Sequence, residues 1–246
     1  MNQAEPKHRE DPCDHGTLDQ ALEIYHRLLE VYGERHWDPT GDADPVGTLV
    51  NTILSQNTND HNRDIAYQQL QRRFPTWEAI RDAPAADVIN AIAPAGLAPT
   101  KGPRIQGALR TITERQGEIT LEFLRDQPLE EARAWLLGLE GVGPKTAAIV
   151  LLFSMGRPAF PVDTHIHRVT RRLGLIPPTT SREQAHVLLE QLLPADLYYA
   201  YHLNIIEHGR SVCFARRPRC EICTLRQLCC YYGTASEMQG DRAPHS

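Results

Sequence analysis

The stretch Leu136-Leu137-Gly138-Leu139-Glu140-Gly141-Val142-Gly143-Pro144-Lys145-Thr146-Ala147-Ala148 joins two segments of helical periodicity through a Gly-x-Gly turn. Pro144 suits the first position of a helix, where its missing N–H would have no intrahelical partner, and it pushes Gly143 out of the α region. A new helix therefore starts at Pro144. The two glycines permit torsions and close approach that a Cβ would block, and N–H groups exposed at a helix N-terminus form an anion site that a phosphate fits. An ordinary helix C-cap followed by a proline-started helix would read the same way.

Outward from this turn, nearly every periodic segment places apolar residues at i, i+3, i+4 and i+7, which predicts an all-α protein with no strand. Thr17 and Gln20 form a capping-box pattern opening a helix through Tyr32, with Leu18, Leu22, Tyr25, Leu28 and Leu29 on its inner face and Gly33 as its stop. Asp44 and Pro45 supply an N-cap and an N1 proline for a helix that buries Val46, Leu49, Val50, Ile53 and Leu54. A third helix starts near Asn59. Shorter ones are expected over 77–81, 85–92 and 104–115, separated by Pro75, Pro84, Pro94 and Pro99. Pro128 opens a helix to about Leu137, and Ser181 with Gln184 forms a second capping box for a helix through Leu193. Two lobes follow: about six helices over residues 39–157, and a second lobe around a cysteine cluster. Residues 1–15 and 233–246 read as frayed tails.

The 246 residues are 41% hydrophobic and 23% charged, an ordinary globular composition. No uncharged apolar run reaches the roughly 18 residues of a membrane span, and the start MNQAEPKHREDPCDHG is too polar for a signal peptide, so a soluble, cytoplasmic protein is expected. The net charge of −5 hides an asymmetry: residues 1–50 carry 4 Lys+Arg against 11 Asp+Glu, whereas residues 157–230 carry 10 against 6. Attraction to phosphate is decided within roughly 8 Å at physiological salt, so a basic face on an acidic chain can still meet a polyanion. Of six cysteines, Cys213, Cys220, Cys223, Cys229 and Cys230 crowd together while Cys13 stands alone. Such clustering suggests metal rather than disulfides, and four thiolates suit either a tetrahedral zinc or a [4Fe-4S] cube.

The hairpin with its Lys145-Thr146-Ala147, followed by Val162-Asp163-Thr164-His165, together with Ser55-Gln56-Asn57-Thr58, Gly96-Leu97 and cysteines spaced x6, x2 and x5, resembles the endonuclease III family of helix-hairpin-helix DNA glycosylases from about Asp44 to Tyr232. The resemblance implies a two-lobed fold: a six-helix domain over 39–157 carrying the hairpin at about 136–156, and an iron–sulfur domain made of 16–38 and 158–232, with a DNA cleft between them. It also implies a [4Fe-4S] cluster on Cys213, Cys220, Cys223 and Cys229. The expected partner is duplex DNA holding a damaged base or an abasic site, met by a monomer without membrane attachment; in a bacterium the protein would sit on the nucleoid.

Site roles follow from the same resemblance. Of the three lysines, Lys7, Lys101 and Lys145, the last occupies a helix N-terminus, where the dipole disfavours the ammonium form. It matches the lysine that attacks C1′ of the damaged nucleoside and forms an imine that β-eliminates; the plainer role is a phosphate-binding lysine. Asp163 matches the catalytic carboxylate and also reads as a helix N-cap. Gln56 matches the polar plug of the vacated stack and Leu97 the apolar wedge, although a lone loop leucine is also typical of a core. Gly141, Gly143, His165 and the basic loop with Arg216, Arg217 and Arg219 would contact DNA. The departures are Ala98-Pro99-Thr100-Lys101-Gly102 after the wedge, where many relatives carry Tyr-Asn-Ser-Lys-Ala, Asn59 in place of a common aspartate, and Pro144 in place of a basic residue. These leave substrate choice open. The activity implied is excision of oxidised pyrimidines with strand nicking; a mismatch-type or adenine glycosylase and a DNA-binding iron–sulfur protein without excision are the alternatives.

Overall fold

The computed structural model describes residues 16–38 and 43–233. The two expected tails lie outside them, apart from Gly233, as do Lys7 and Cys13. Eleven α-helices are present and no strand among the described residues: α1 (Leu18–Tyr32), α2 (Pro45–Leu54), α3 (Asp60–Arg73), α4 (Trp77–Asp82), α5 (Ala85–Ala91), α6 (Ala98–Gln116), α7 (Leu129–Leu137), α8 (Pro144–Ile149, continued by a π-helical turn Val150–Ser154), α9 (Thr164–Leu173), α10 (Arg182–Leu192) and α11 (Tyr198–Ser211). The all-α expectation holds. No helix among the described residues is long and apolar enough to cross a membrane. The chain divides into two compact units, Trp37–Pro161 and the segments up to His36 and from Val162 onward.

In the unit Trp37–Pro161, α2 is the central element and packs on α3, α6 and α8. Its Val46, Leu49, Val50, Ile53 and Leu54 are all buried, joined by Leu70 of α3, Ile105 and Leu109 of α6 and Val150 and Leu151 beyond α8. Each such side chain contributes about 1.5–3 kcal/mol by leaving water. Asp44 caps α2 through Oδ1, which accepts from the Val46 N–H at 2.9 Å, while its Oδ2 accepts from Trp77 Nε1 at 2.9 Å. Trp37 joins this unit because its indole N–H donates to the Phe153 carbonyl at 2.9 Å. Gly156 leaves space for the Trp37 ring, since a Cβ there would lie 2.6 Å from it.

Helix α6 departs from the sequence reading. It begins at Ala98, six residues before the expected start at Arg104, with Pro99 in its first turn and Pro103 inside it. Pro99 sits where no N–H is needed, and Pro103 removes one donor without ending the helix. Tertiary contacts hold the early turns. Gly102 packs against Ile89, which a Cβ would approach to 2.9 Å. Lys101 is buried, and its Nζ donates to the carbonyls of Leu54 at 2.7 Å and Ala95 at 2.8 Å. Burial holds its ammonium below the usual lysine range. Further along, the Gln106 amide donates to Ile80 and Ala83 carbonyls at 2.9 and 2.8 Å, stapling the end of α4 to α6.

In the other unit, α11 packs on α1 and α9, and α9 on α10. Thr17 caps α1 by accepting from the Gln20 N–H at 3.2 Å, but the Gln20 amide donates to the Leu173 carbonyl at 2.9 Å instead of closing the expected box. The inner face of α1 is Ala21, Ile24 and Leu28, with Leu18 exposed, and Tyr25 stacks on the buried Tyr201 at 5.9 Å. Ser181 and Gln184 form the complete capping box of α10.

Replacing Lys101 with Met keeps an unbranched apolar stem, one atom shorter, but leaves two buried carbonyls without a donor. Chemical denaturation is expected to show a loss of about 1–3 kcal/mol. An unchanged midpoint would mean that the ammonium does not hold these carbonyls together.

Candidate active site

Three helix faces line an open cavity of about 610 Å³ within the unit Trp37–Pro161, a size that suits a small-molecule guest. The capping residue and polar face of α2 supply Asp44, Thr48, Asn51, Thr52 and Ser55. Arg63, Tyr67 and Gln71, four residues apart, come from α3, and Lys145, Ile149 and Phe153, also four apart, from α8 and its continuation. The helical repeat aligns each trio on one face. Gly47 permits the approach of α3, since a Cβ there would lie 2.8 Å from the Tyr67 hydroxyl. Burial, and then the charge of Asp44, push the Tyr67 phenol above its ordinary range. Arg63 spends its charge on Asp60 at 2.8 Å and Asp64 at 2.7 Å.

Lys145 reaches this cavity through the hairpin. Leu139 and Val142 are buried and anchor the turn, with the Val142 N–H donating to the Leu139 carbonyl at 3.1 Å. Gly141 has φ +79°, and a Cβ on it would meet Arg104 Cδ at 2.7 Å, so it is glycine for two reasons. Gly143 differs from the sequence expectation. Its φ of −102° and ψ of −179° are open to any residue, and nothing lies within 4 Å of a Cβ placed there. The fold does not require glycine at 143.

Gln56 and Leu97 stand on two turns that Lys101 ties together. The Gln56 amide donates to the Gly141 carbonyl at 3.4 Å, linking the turn after α2 to the hairpin. Leu97 is 55% exposed, which removes the core-leucine reading, and it adopts left-handed torsions, φ 50° and ψ 28°. Asn57, which sequence reasoning passed over, is exposed and also left-handed at φ 51°. For Leu97, a bulky non-glycine residue, this conformation is strained and persists because the surrounding structure holds it. An Asn, tolerant of left-handed torsions, in a short turn between two helices was the available signal. Asn59, noted as a departure, caps α3 by accepting from the Asn62 N–H at 2.8 Å.

In the other unit, Asp163 caps α9: its Oδ1 accepts from the Ile166 N–H at 2.7 Å, leaving the second oxygen to other work. His165 Nδ1 lies 3.1 Å from Arg168 Nη2, and the same guanidinium donates to the carbonyls of Cys213 and Gly209 at 3.0 and 2.9 Å. Cys213, Cys220, Cys223 and Cys229 are unbridged and line one small cavity with Arg172 and His208. Arg172 Nη1 donates to Cys213 Sγ at 3.2 Å and to the Phe214 carbonyl at 2.7 Å. His208 Nε2 lies 3.6 Å from Cys223 Sγ. Burial pushes the Cys223 thiol up to about 11 and raises Cys220 and Cys229 as well. Among the described residues, no three or more His, Cys, Asp or Glu are gathered tightly enough to hold a single metal ion. Arg216, Arg217 and Arg219 are exposed; Arg217 is left-handed at φ 52°, and Arg219 lies over the Phe214 ring at 5.3 Å.

An all-helical fold whose Gly-x-Gly hairpin carries a lysine to the wall of an open polar cavity is the frame of a class of DNA-repair protein. The chain belongs to the HhH-GPD superfamily of base excision DNA repair proteins, whose model matches residues 50–195, and within it to the endonuclease III-like branch. It is 36% identical over 171 residues to a putative DNA glycosylase of Arabidopsis thaliana, covering 70% of this chain and 58% of that protein. It is 35% identical over 191 residues to endonuclease III of Thermotoga maritima, covering 78% and 85%. A trapped endonuclease III–DNA covalent intermediate superposes with a TM-score of 0.77 at 25% identity, over 90% of this chain and 99% of that one.

Two glycine substitutions separate folding from surface function. Gly141→Ala is expected to lower stability by about 1–2 kcal/mol, because it imposes a left-handed alanine against Arg104. Gly143→Ala should leave the melting temperature in place while weakening binding to duplex DNA by gel shift. Equal melting temperatures for both variants would contradict the torsional distinction.

Proposed function

We propose that this protein is a bifunctional DNA glycosylase and AP lyase that removes oxidised pyrimidines from duplex DNA and nicks the strand by β-elimination. The observation that carries the reading is Lys145 in the cavity wall. Lys101 is committed to two carbonyls inside the fold, and Lys7 lies in the N-terminal tail. A damaged nucleotide turned out of the stack would place its base in the cavity, at an unstacking cost of a few kcal/mol that lesions reduce. The unprotonated Nζ attacks C1′, the glycosidic C–N bond breaks, and the base leaves with its electron pair and takes up a proton. The amine then loses a proton and the sugar ring opens, giving an imine. Removal of a C2′ proton expels the 3′ phosphate, and hydrolysis of the imine frees the lysine.

Asp163 assists by holding negative charge where the sugar becomes cationic. Its capping bond occupies Oδ1 and keeps the carboxylate in one orientation. Leu97 and Gln56 would fill the gap left by the turned-out nucleotide, with Asn57 beside them. The hairpin around Gly141 and Gly143, His165 and the Arg216, Arg217 and Arg219 loop would hold phosphates. The two exposed left-handed residues, Asn57 and Leu97, support the first assignment; the lack of any intramolecular need for glycine at 143 supports the second. The four thiols Cys213, Cys220, Cys223 and Cys229 would hold a [4Fe-4S] cluster. The four thiols are half-buried and line one cavity, so ionising all of them calls for cations to compensate them, which the irons of a cluster would supply. The cluster, when bound, supplies a rigid cross-link for the basic loop.

Borohydride reduction of the protein mixed with an abasic-site duplex should trap a covalent adduct, and Lys145→Ala should abolish it. Asp163→Asn should retain the helix cap and the melting temperature yet lose base excision by at least about a hundredfold. An adduct that survives Lys145→Ala, or full excision by Asp163→Asn, would overturn the respective role. Purified protein should contain iron and acid-labile sulfide in equal amounts; zinc without sulfide would contradict the cluster.

A further inference from the structure

The polar face of α2 forms one wall of the cavity that receives Lys145, and two of its hydroxyls are internally committed. Thr52 Oγ1 donates to the Thr48 carbonyl at 2.7 Å, and Ser55 Oγ to the Thr52 carbonyl at 2.7 Å. Asn51, between them on the same face, is different: its Oδ1 is buried with no hydrogen-bond partner. The other such atom among the described residues belongs to Asn204, whose amide nitrogen donates to the Gly33 carbonyl at 3.2 Å. An unpartnered buried amide oxygen costs stability, and a leucine of similar shape at that position would not. Asn51 lines the same cavity as Lys145, so a half-turn of its carboxamide would present this oxygen to a guest that repays the cost.

We propose that Asn51 is a specificity-determining residue whose carboxamide reads the polar edge of a pyrimidine base seated in this cavity. A pyrimidine presents neighbouring donor and acceptor atoms at N3 and C4, and a carboxamide pairs with both at once. A half-turn of the Asn51 amide exchanges its ends, so one residue accepts both thymine-derived lesions, with N3–H and O4, and cytosine-derived ones, with N3 and the 4-amino group. Neighbouring Arg63 is held by two aspartates and is not free to substitute. This inference rests on Lys145 being the nucleophile, because that role places the base in this cavity.

The test compares two rates in each variant: release of the base from duplexes holding thymine glycol or 5-hydroxycytosine, and borohydride trapping on an abasic duplex, which has no base to read. Asn51→Leu is expected to lower the ratio of excision to trapping by about tenfold to a hundredfold for both lesions, the worth of a bidentate base contact. Its melting temperature should equal or exceed that of the parent. Asn51→Ala provides the same ratio should the leucine variant fold poorly. An unchanged ratio with trapping intact overturns the role of Asn51. Absence of trapping in the parent protein overturns the lysine assignment instead.

Discussion

The candidate site depends on one backbone constraint, the left-handed bend at Gly141. With φ at +79° and Arg104 packed where a Cβ would stand, the chain leaves α7, turns through buried Leu139 and Val142, and restarts at Pro144 in a fixed direction. That direction places Lys145, Ile149 and Phe153 along one face toward α2 and α3. A different torsion at 141 would rotate the lysine's helix and remove the amine from the cavity. The Gln56 amide on the Gly141 carbonyl then couples this bend to the turn that follows α2.

A second, weaker brace is the buried ammonium of Lys101. Two carbonyls at the ends of helical segments present partial negative charge, and a lysine reaching them serves both as donor and as compensating cation. The residues just beyond those carbonyls include Asn57 and Leu97, the exposed left-handed pair. Charge kept inside the fold thus restrains strained turns at its surface. The same economy governs the cysteine region, where the Arg172 guanidinium is spread over Cys213 Sγ, backbone carbonyls and the Tyr231 ring at 4.6 Å.

Local signals were legible in the sequence wherever one residue decides a helix boundary. Asp44 with Pro45, Pro144, Asp163 and Ser181 with Gln184 all cap or start helices where their chemistry says they should. The reading failed where tertiary contact outweighs local preference. Pro99 argued against a helix that Lys101 and Gly102 hold in place by packing, and the inner face of α1 depends on contacts with α11, distant in sequence. The cavity was half legible: polar Thr48, Asn51, Thr52 and Ser55 run beside the apolar stripe of α2 at helical spacing, but that Lys145 faces them depends on packing no local pattern records. Gly143 shows the converse, a residue type that suggested a bend and proved to need none.

In the proposed reaction a covalent bond to the sugar forms at one nitrogen. Mass spectrometry of the reduced protein–DNA adduct, digested to peptides, locates that bond directly. A deoxyribose remnant is expected on Nζ of Lys145 and on no other amine. A remnant on Lys7, Lys101 or the chain's amino terminus, with Lys145 unmodified, would contradict it.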